Sequence, residues 1–502
     1  MEAALQDTKK KQILEFCNLR SQFIDKESLE LLEREEHWKE ILEQFPETII
    51  VSSRLREKLA LHDSKVGRAE RETEVKKTRF RAEAKDCSAD CRVMKEFEVT
   101  NQSNSEGKIG DFLSYFRDKY EFLHSLLHNR PGFSPVTLDR MEKYQQYSEI
   151  DVIGMVVRKW VSKNGNLSFE LDSPEGSCIA ITPKDDAAAS REAEKILLDD
   201  VIGIKGKKLS ETMMVAKMFL RPDLMQNPPR KAERDLSAML ISDIHVGSRL
   251  FLEKEFKKFL SWINGHAVSE KELERMGKIK YLFIAGDNVD GVGIYPDQFD
   301  ELEIKDVYQQ YAKLSEYLKE IPEYIEVFIC PGQHDAVRRA DPQPAVPQEY
   351  FPELESAKNI HFVGSPGWIE VEGLKCMMYH GASHHDMYAA TKHLNPKEPE
   401  KAMIELLKKR DLSTGFGLTQ PYVPEKRDFM LIREEPDFYF GGDMHHKGYA
   451  QYRACMAANA GTWQEQTEYQ IRKGHIPTPG IALDINLKTR KLTENNFYSK
   501  GQ

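Results

Sequence analysis

Apolar residues recur at three- and four-residue steps through ILEFCNLRSQFI and LELLEREEHWKEILEQF, which predicts helices within residues 1–60. From 61 to 108 that periodicity is lost. GRAERETEVKKTRFRAEAKD mixes both charge signs with almost no apolar content, and NQSNSEGK follows. The stretch reads as a charged linker, partly disordered or singly helical. Residues 109–145 form an amphipathic helical segment: DFLSYFRDKYEFLHSLLHNR puts its Phe, Tyr and Leu residues largely on one face, the pattern of a packing helix. Between 146 and 228 the period becomes two. IDVIGMVVRKWV, LSFELDS, SCIAITP, VIGIKGKKL and MMVAKMFL read as short strands, with turns at NGN and PEG. The helix-like DDAAASREAEKILL falls between the third and fourth, an order that predicts an OB-fold barrel. From 229 to 502, short buried runs alternate with helical segments, and AMLISD, YLFIAGD, EVFICPG, CMMYHG and DFYFGGD each end in polar residues. That pattern predicts an α/β sandwich whose chemistry sits at the carboxyl ends of strands. The expected fold class is α/β and β multidomain.

Composition narrows the classes. With 40% hydrophobic and 31% charged residues, the chain is soluble and globular. A net charge of -10 excludes a uniformly basic nucleic-acid coat but leaves room for a local basic channel. MEAALQDTKKK lacks the apolar region of a secretory signal, and no apolar run reaches the roughly 18 residues of a membrane span. The seven cysteines are sparse and contain no CxxC pair, which fits a reduced cytoplasm. Cys87 and Cys91 form an isolated CxxxC, read as part of the linker.

Metal-ligand residue types gather at the strand ends. SDIHVGS carries Asp243 and His245; AGDNVDG carries Asp287 and Asp290; PGQHDAVRR carries Gln333, His334 and Asp335; MYHGAS carries His380; GGDMHHKG carries Asp443, His445 and His446. One such strand end is usually a polar cap, whereas this succession has the donor set of a two-ion site. Two divalent ions about 4 Å apart can clamp a phosphate, activate water and stabilise a leaving oxygen. Such a site needs a bridging carboxylate and outer nitrogen and oxygen donors. Oxygen-rich ligation with imidazoles suits manganese, magnesium, iron or zinc.

The ordered set resembles the calcineurin-like metallophosphoesterases, whose pattern runs D-x-H, G-D, G-N-H-[DE], H and G-H-x-H, and the match covers roughly residues 237–460. The resemblance implies a first ion on Asp243, His245 and His445, a bridge through Asp287, and a second ion on Gln333, His380 and Asp443. It also implies that His334 protonates the leaving oxygen, with Asp335 orienting its ring. Two positions depart from the pattern: Gln333 replaces Asn, and Asp443 replaces the first His of G-H-x-H. Both fall on the second ion and both keep an oxygen donor. The sequence leaves three outcomes open: a harder second site favouring manganese or magnesium, recruitment of His446 as the missing imidazole, or an empty second site without activity.

The whole arrangement resembles the small subunits of archaeal family-D DNA polymerases, related to the B-subunits of eukaryotic replicative polymerases. PGQHDAVRRADPQPAVPQ and NAGTWQEQTEYQ carry this likeness. It implies a cytoplasmic heterodimer with a large polymerase subunit, and a metal-dependent 3′→5′ exonuclease acting on DNA 3′ ends with two divalent ions. Arg338 and Arg339 read equally as phosphate contacts or as ordinary salt-bridge partners. Trp463 reads as core rather than as a base-stacking platform, and His384 and His385 as substrate rim or solvated loop. The barrel reads as a protein-contact or a single-strand-binding module, and the N-terminal helices as a dock for another replication factor or a solvated bundle. Two other readings compete: a non-catalytic scaffold bracing the large subunit, and a stand-alone phosphoesterase.

Overall fold

The computed structural model describes residues 2–19, 23–33, 38–43, 49–50, 55, 82–266 and 269–498. The chain forms two compact units, residues 1–80 and 81–502. The first contains helices Glu2–Leu19, Lys26–Glu33 and Trp38–Glu43, and a two-residue parallel pairing of Phe23–Ile24 with Ile49–Ile50. Ile13, Cys17, Leu29, Leu32, Trp38 and Leu42 are buried together, in line with the helical spacing.

The second unit holds a closed barrel and a pair of sheets. In the barrel, Glu149–Val161 pairs antiparallel with both Leu167–Ser173 and Val201–Lys208, so the five long strands close on themselves. Gly176–Thr182 and Met213–Leu220 complete the ring through a parallel pairing. Helix Ala187–Glu194 lies between the third and fourth strands, as the sequence pattern requires. Inward residues such as Val152, Val156, Phe169, Leu171 and Ile204 fill the interior.

Two six-stranded sheets face each other beyond the barrel. One runs Ile360–Phe362, Glu326–Cys330, Ile279–Ala285, Ser237–Ile241, Ile481–Asn486 and Leu492–Asn496; the other runs Gly448–Tyr452, Cys455–Asn459, Phe438–Gly441, Leu374–Met378, Gly367–Val371 and Cys91–Val93. Ser237–Ile241 and Ile279–Ala285 are buried along their whole length, which is why they read as continuous apolar runs. Phe283 of the first sheet meets Phe440 of the second with ring centroids 4.8 Å apart, inside one shared core. Because Ser237–Ile241, Ile279–Ala285 and Glu326–Cys330 are mutually parallel, their carboxyl ends share one edge. Leu374–Met378 and Phe438–Gly441 are likewise parallel to each other.

The linker expectation is corrected over 82–108; residues 61–81 lie outside the described residues. Cys91–Val93 is an edge strand paired antiparallel with Gly367–Val371. Glu98 accepts the Gly364 N–H at 2.7 Å, and Glu425 accepts the N–H groups of Asn104 and Ser105 at 3.0 and 3.2 Å. Edge pairing and polar anchoring hold this segment, and neither leaves an apolar period in the sequence. None of the seven cysteines is joined to another in a disulfide. No helix among the described residues is long and apolar enough to cross a membrane.

Helix Ile109–His128 ties the barrel to the sandwich. Its buried positions Asp111, Tyr115, Lys119, Leu123 and Leu127 recur every fourth residue. Leu123 and Leu127 pack on Ile153, Met155 and Val201 of the barrel. One turn earlier, buried Lys119 donates to Asp411 at 2.9 Å and to Ser413 at 2.7 Å, with Asp428 at 3.7 Å. Removing one member of such a group leaves buried charge uncompensated. Lys119→Ala is expected to lower unfolding free energy by about 3–5 kcal/mol. Chemical denaturation of the full chain checks this, and an unchanged midpoint would show that the buried charges relax without the ammonium.

Candidate metal centre

Asp243, His245, Asp287, Gln333, His380, Asp443 and His445 each follow a buried strand by two to four residues, so the sheets bring to one edge residues that lie about 200 positions apart in the chain. Asp243, His245, Asp287, Asp443 and His445 all adopt left-handed backbone conformations, with φ of 52°, 54°, 49°, 68° and 52°. For residues with a Cβ this costs about 1–3 kcal/mol each and persists only where the surroundings impose it. Glycines supply the closeness. A Cβ on Gly332 would stand 2.2 Å from Asp287 Oδ1 and 2.6 Å from His380 Nε2, and one on Gly286 would stand 2.3 Å from His380 Nδ1.

Three overlapping trios result: Asp243, His245 and His445; His245, Asp287 and His334; Asp243, Asp287 and His380. Within them His445 Nε2 lies 3.3 Å from Asp243 Oδ1, and His380 Nε2 lies 3.3 Å from Asp287 Oδ2. Gln333 and Asp443 join on the far side, where Gln333 Nε2 donates to Asp443 Oδ1 at 3.1 Å.

The outer hydrogen bonds set the tautomers. His380 Nδ1 donates to the Ala285 carbonyl at 2.6 Å, and its buried Nε2 turns to Asp287 Oδ2 at 3.3 Å. His245 Nδ1 is 3.0 Å from Asp290 Oδ1, and its Nε2 faces His445 Nε2 at 3.0 Å. The Gln333 carbonyl oxygen is buried without a partner. Inward-turned nitrogens and an unpaired amide oxygen among buried carboxylates match the donor chemistry of divalent cations. Burial alone would raise the Asp287 carboxyl, but His380 and His334 hold it well below the usual carboxylate range.

His334 reaches the same cluster. Its Nδ1 donates to the Asp290 main-chain carbonyl at 2.7 Å, and its Nε2 lies 4.0 Å from Asp287 Oδ2. Burial lowers its pKa, but Asp287 and Asp290 together raise it above the ordinary value. The role expected of Asp335 is corrected. Asp335 accepts from Gly332 N at 2.9 Å, Asn288 Nδ2 at 2.9 Å and Tyr311 Oη at 2.9 Å. It therefore anchors the loop, while the Asp290 carbonyl orients the His334 ring. Burial, then Asp287, pushes the Asp335 carboxyl up to about 6.

The two arginines separate. Arg338 is held by the Pro342 carbonyl at 2.6 Å, by Ser103 Oγ at 2.7 Å and by Glu425 at 3.2 Å, so it is a salt-bridged strut and not a free phosphate contact. Arg339 lines the cavity in front of the cluster, a space of about 700 Å³ that Tyr295, His385 and His475 also border. Trp463 is fully buried against Phe256 and Phe259, as a core residue. His446 turns to the Lys447 carbonyl at 3.0 Å, away from the place the sequence left open for it.

Several supporting residues escape sequence reading. Asn288, which donates to Asp335 and to the Cys330 carbonyl, lies in AGDNVDG, where only the ligand pattern draws notice. Gln464 Nε2 donates to Asp290 Oδ1 at 3.1 Å, and Gln470 Nε2 lies 2.7 Å from His445 Nδ1. Both glutamines come from NAGTWQEQTEYQ, so their concentration in that stretch is the one signal that could have marked them.

Known proteins place this architecture. Residues 238–451 match the B-subunit family of DNA polymerases alpha and epsilon. The chain is 36% identical over 416 residues to the DNA polymerase II small subunit of Methanocaldococcus jannaschii, covering 83% of this chain and 70% of that one. Against the small subunits of Archaeoglobus fulgidus and Methanothermobacter thermautotrophicus the identities are 36% and 35%, covering 78% and 80% of this chain and 78% and 83% of theirs. Residues 238–451 thus resemble the B-subunits of DNA polymerases. The chain belongs to the family of archaeal DNA polymerase II small subunits.

A divalent ion bound only by the folded cluster must raise the melting temperature. Manganese added to chelator-treated chain is expected to stabilise it by about 2.7 kcal/mol at a concentration 100 times the dissociation constant. Gly332→Ala should abolish that rise, while Gly110→Ala, where an added Cβ meets nothing within 4 Å, should keep it. A calorimetric scan in which both variants respond alike would contradict the cluster as the binding place.

Proposed function

We propose that this chain is the nuclease subunit of a heterodimeric archaeal replicative polymerase, a metal-dependent 3′→5′ exonuclease that removes nucleotides from DNA 3′ ends for proofreading. A large catalytic subunit is the partner implied by the relatives' names. The finer fold reading goes with this: the barrel as an OB-fold, and the two facing sheets as a calcineurin-like phosphoesterase. The observation that carries the proposal is the convergence of buried, ligand-ready nitrogens and carboxylates on a cavity that also holds a separately oriented imidazole, His334.

Asp243, His245 and His445 would hold a first divalent ion, Asp287 would stand between the two, and Gln333, His380 and Asp443 would hold a second. Manganese or magnesium suits this carboxylate-rich set, with zinc or iron as the other candidates. When bound, such ions supply Lewis-acid polarisation of a phosphodiester and a nucleophile active at neutral pH. The chain's own residues do the rest. His334, kept upright by the Asp290 carbonyl and rendered more basic by Asp287 and Asp290, offers a proton to the leaving 3′ oxygen. Asp335 fixes the loop that carries it through Gly332, Asn288 and Tyr311. Arg339 on the cavity wall can pair with a phosphate of the entering strand.

A specific observation supports a second reading, a catalytically silent brace for the large subunit. Gln333 and Asp443, the two departures from the phosphoesterase pattern, lie together on the same side of the cluster. Hydrolysis separates the readings. With manganese and a labelled single-stranded oligonucleotide, and with the large subunit present, wild type should shorten the 3′ end. His334→Ala should be slower by about 10²–10⁴-fold. Equal rates in both proteins would remove His334 from the chemistry, and no cleavage by either would favour the brace.

A further inference from the structure

Asp443 occupies the position where the phosphoesterase pattern has an imidazole, which leaves the second ion short of one nitrogen donor. The structure brings a different histidine to that side. His385 Nε2 lies 3.1 Å from Asp443 Oδ2. On the other oxygen of the same carboxylate, Gln333 Nε2 stands at 3.1 Å and His380 Nε2 at 3.8 Å. Two donors bound at about 2.1 Å to one ion, and 90° apart on it, stand about 3.0 Å from each other. The His385–Asp443 spacing falls at that value, and the His380–Asp287 spacing of 3.3 Å lies close to it.

The other nearby histidines are engaged elsewhere. His446 is turned to the Lys447 carbonyl, and His384 is fully buried with its Nε2 toward Tyr439 Oη at 3.4 Å. His385 keeps 47% of its side chain exposed and lines the same cavity as Gln333, His334 and Asp443. It follows His380 by five residues, at the start of helix His384–Ala390, so one loop delivers both imidazoles.

The geometry points to His385 as a direct ligand of the second ion, replacing the imidazole that Asp443 has displaced. This rests on the two-ion reading above. It also changes the expected selectivity of that position. Carboxylate and amide oxygens with a single imidazole favour hard ions, whereas a second imidazole brings borderline ions such as cobalt within reach. A residue that only steadied Asp443 by a hydrogen bond would not alter this preference.

The test is equilibrium dialysis of the full chain with cobalt and, separately, with magnesium, comparing wild type, His385→Ala and His446→Ala. Wild type should take up two cobalt ions. His385→Ala should lose at least about 100-fold in affinity for the second cobalt and less than about 10-fold for the second magnesium, while His446→Ala should match wild type. Equal losses for both metals would reduce His385 to a positioning residue, and unchanged affinities would remove it from the site; either result overturns the inference. Wild type binding no second ion of either metal would instead overturn the two-ion reading itself, and the inference with it.

Discussion

Everything at the strand ends of this chain follows from forcing like-charged groups together out of water. Asp243, Asp287, Asp290 and Asp443 converge within a few ångströms of one another's partners, nearly all of them buried. Carboxylates removed from water repel one another and lose hydration, so such a cluster is stable only with compensating positive charge. Part of that compensation is internal: His380 and His334 pull Asp287 down, and His385 sits against Asp443. On the proposed reading a divalent cation would supply the remainder, with the His380 nitrogen beside Asp287 and the unpaired Gln333 oxygen among its ligands. Five left-handed backbones at the ligand positions show how much local strain the scaffold absorbs to keep this arrangement.

The scaffold absorbs that strain because it is rigid where it matters. Two apolar sheets share one core, and three of the strands that lead to candidate ligands are buried along their whole length. Glycines at 286 and 332 let neighbouring loops approach until side chains touch backbone. Helix Ile109–His128 then locks the barrel to this body through apolar contacts on one turn and the Lys119 charge cluster on another.

Much of the fold was legible because its signals are local. Period-two strands, fully apolar runs and turn residues announced the barrel and the sandwich in order, and each ligand-bearing turn followed a recognisable strand. What remained hidden depends on contacts between distant positions. Nothing in PGQHDAVRR distinguishes an Asp that orients its neighbouring His from one that ties down Gly332 and Asn288; the carbonyl that does the orienting belongs to Asp290, 44 residues earlier. The adjacent arginines look alike in sequence, yet Arg338 meets Glu425 and Ser103 while Arg339 faces the cavity. Residues 82–108 looked like a linker because edge-strand pairing leaves no apolar period. His385, five positions past His380, read only as substrate rim or solvated loop, and it is the fold that brings it to Asp443.

The central claim is that this cluster holds two divalent ions astride Asp287. Anomalous scattering at the manganese edge, from crystals of the wild-type chain grown with manganese, tests it most directly. The account predicts two peaks about 4 Å apart, one beside Asp243, His245 and His445 and one beside His380 and Asp443, with Asp287 between them. An absence of peaks at Asp287, or a single ion remote from it, would contradict the account.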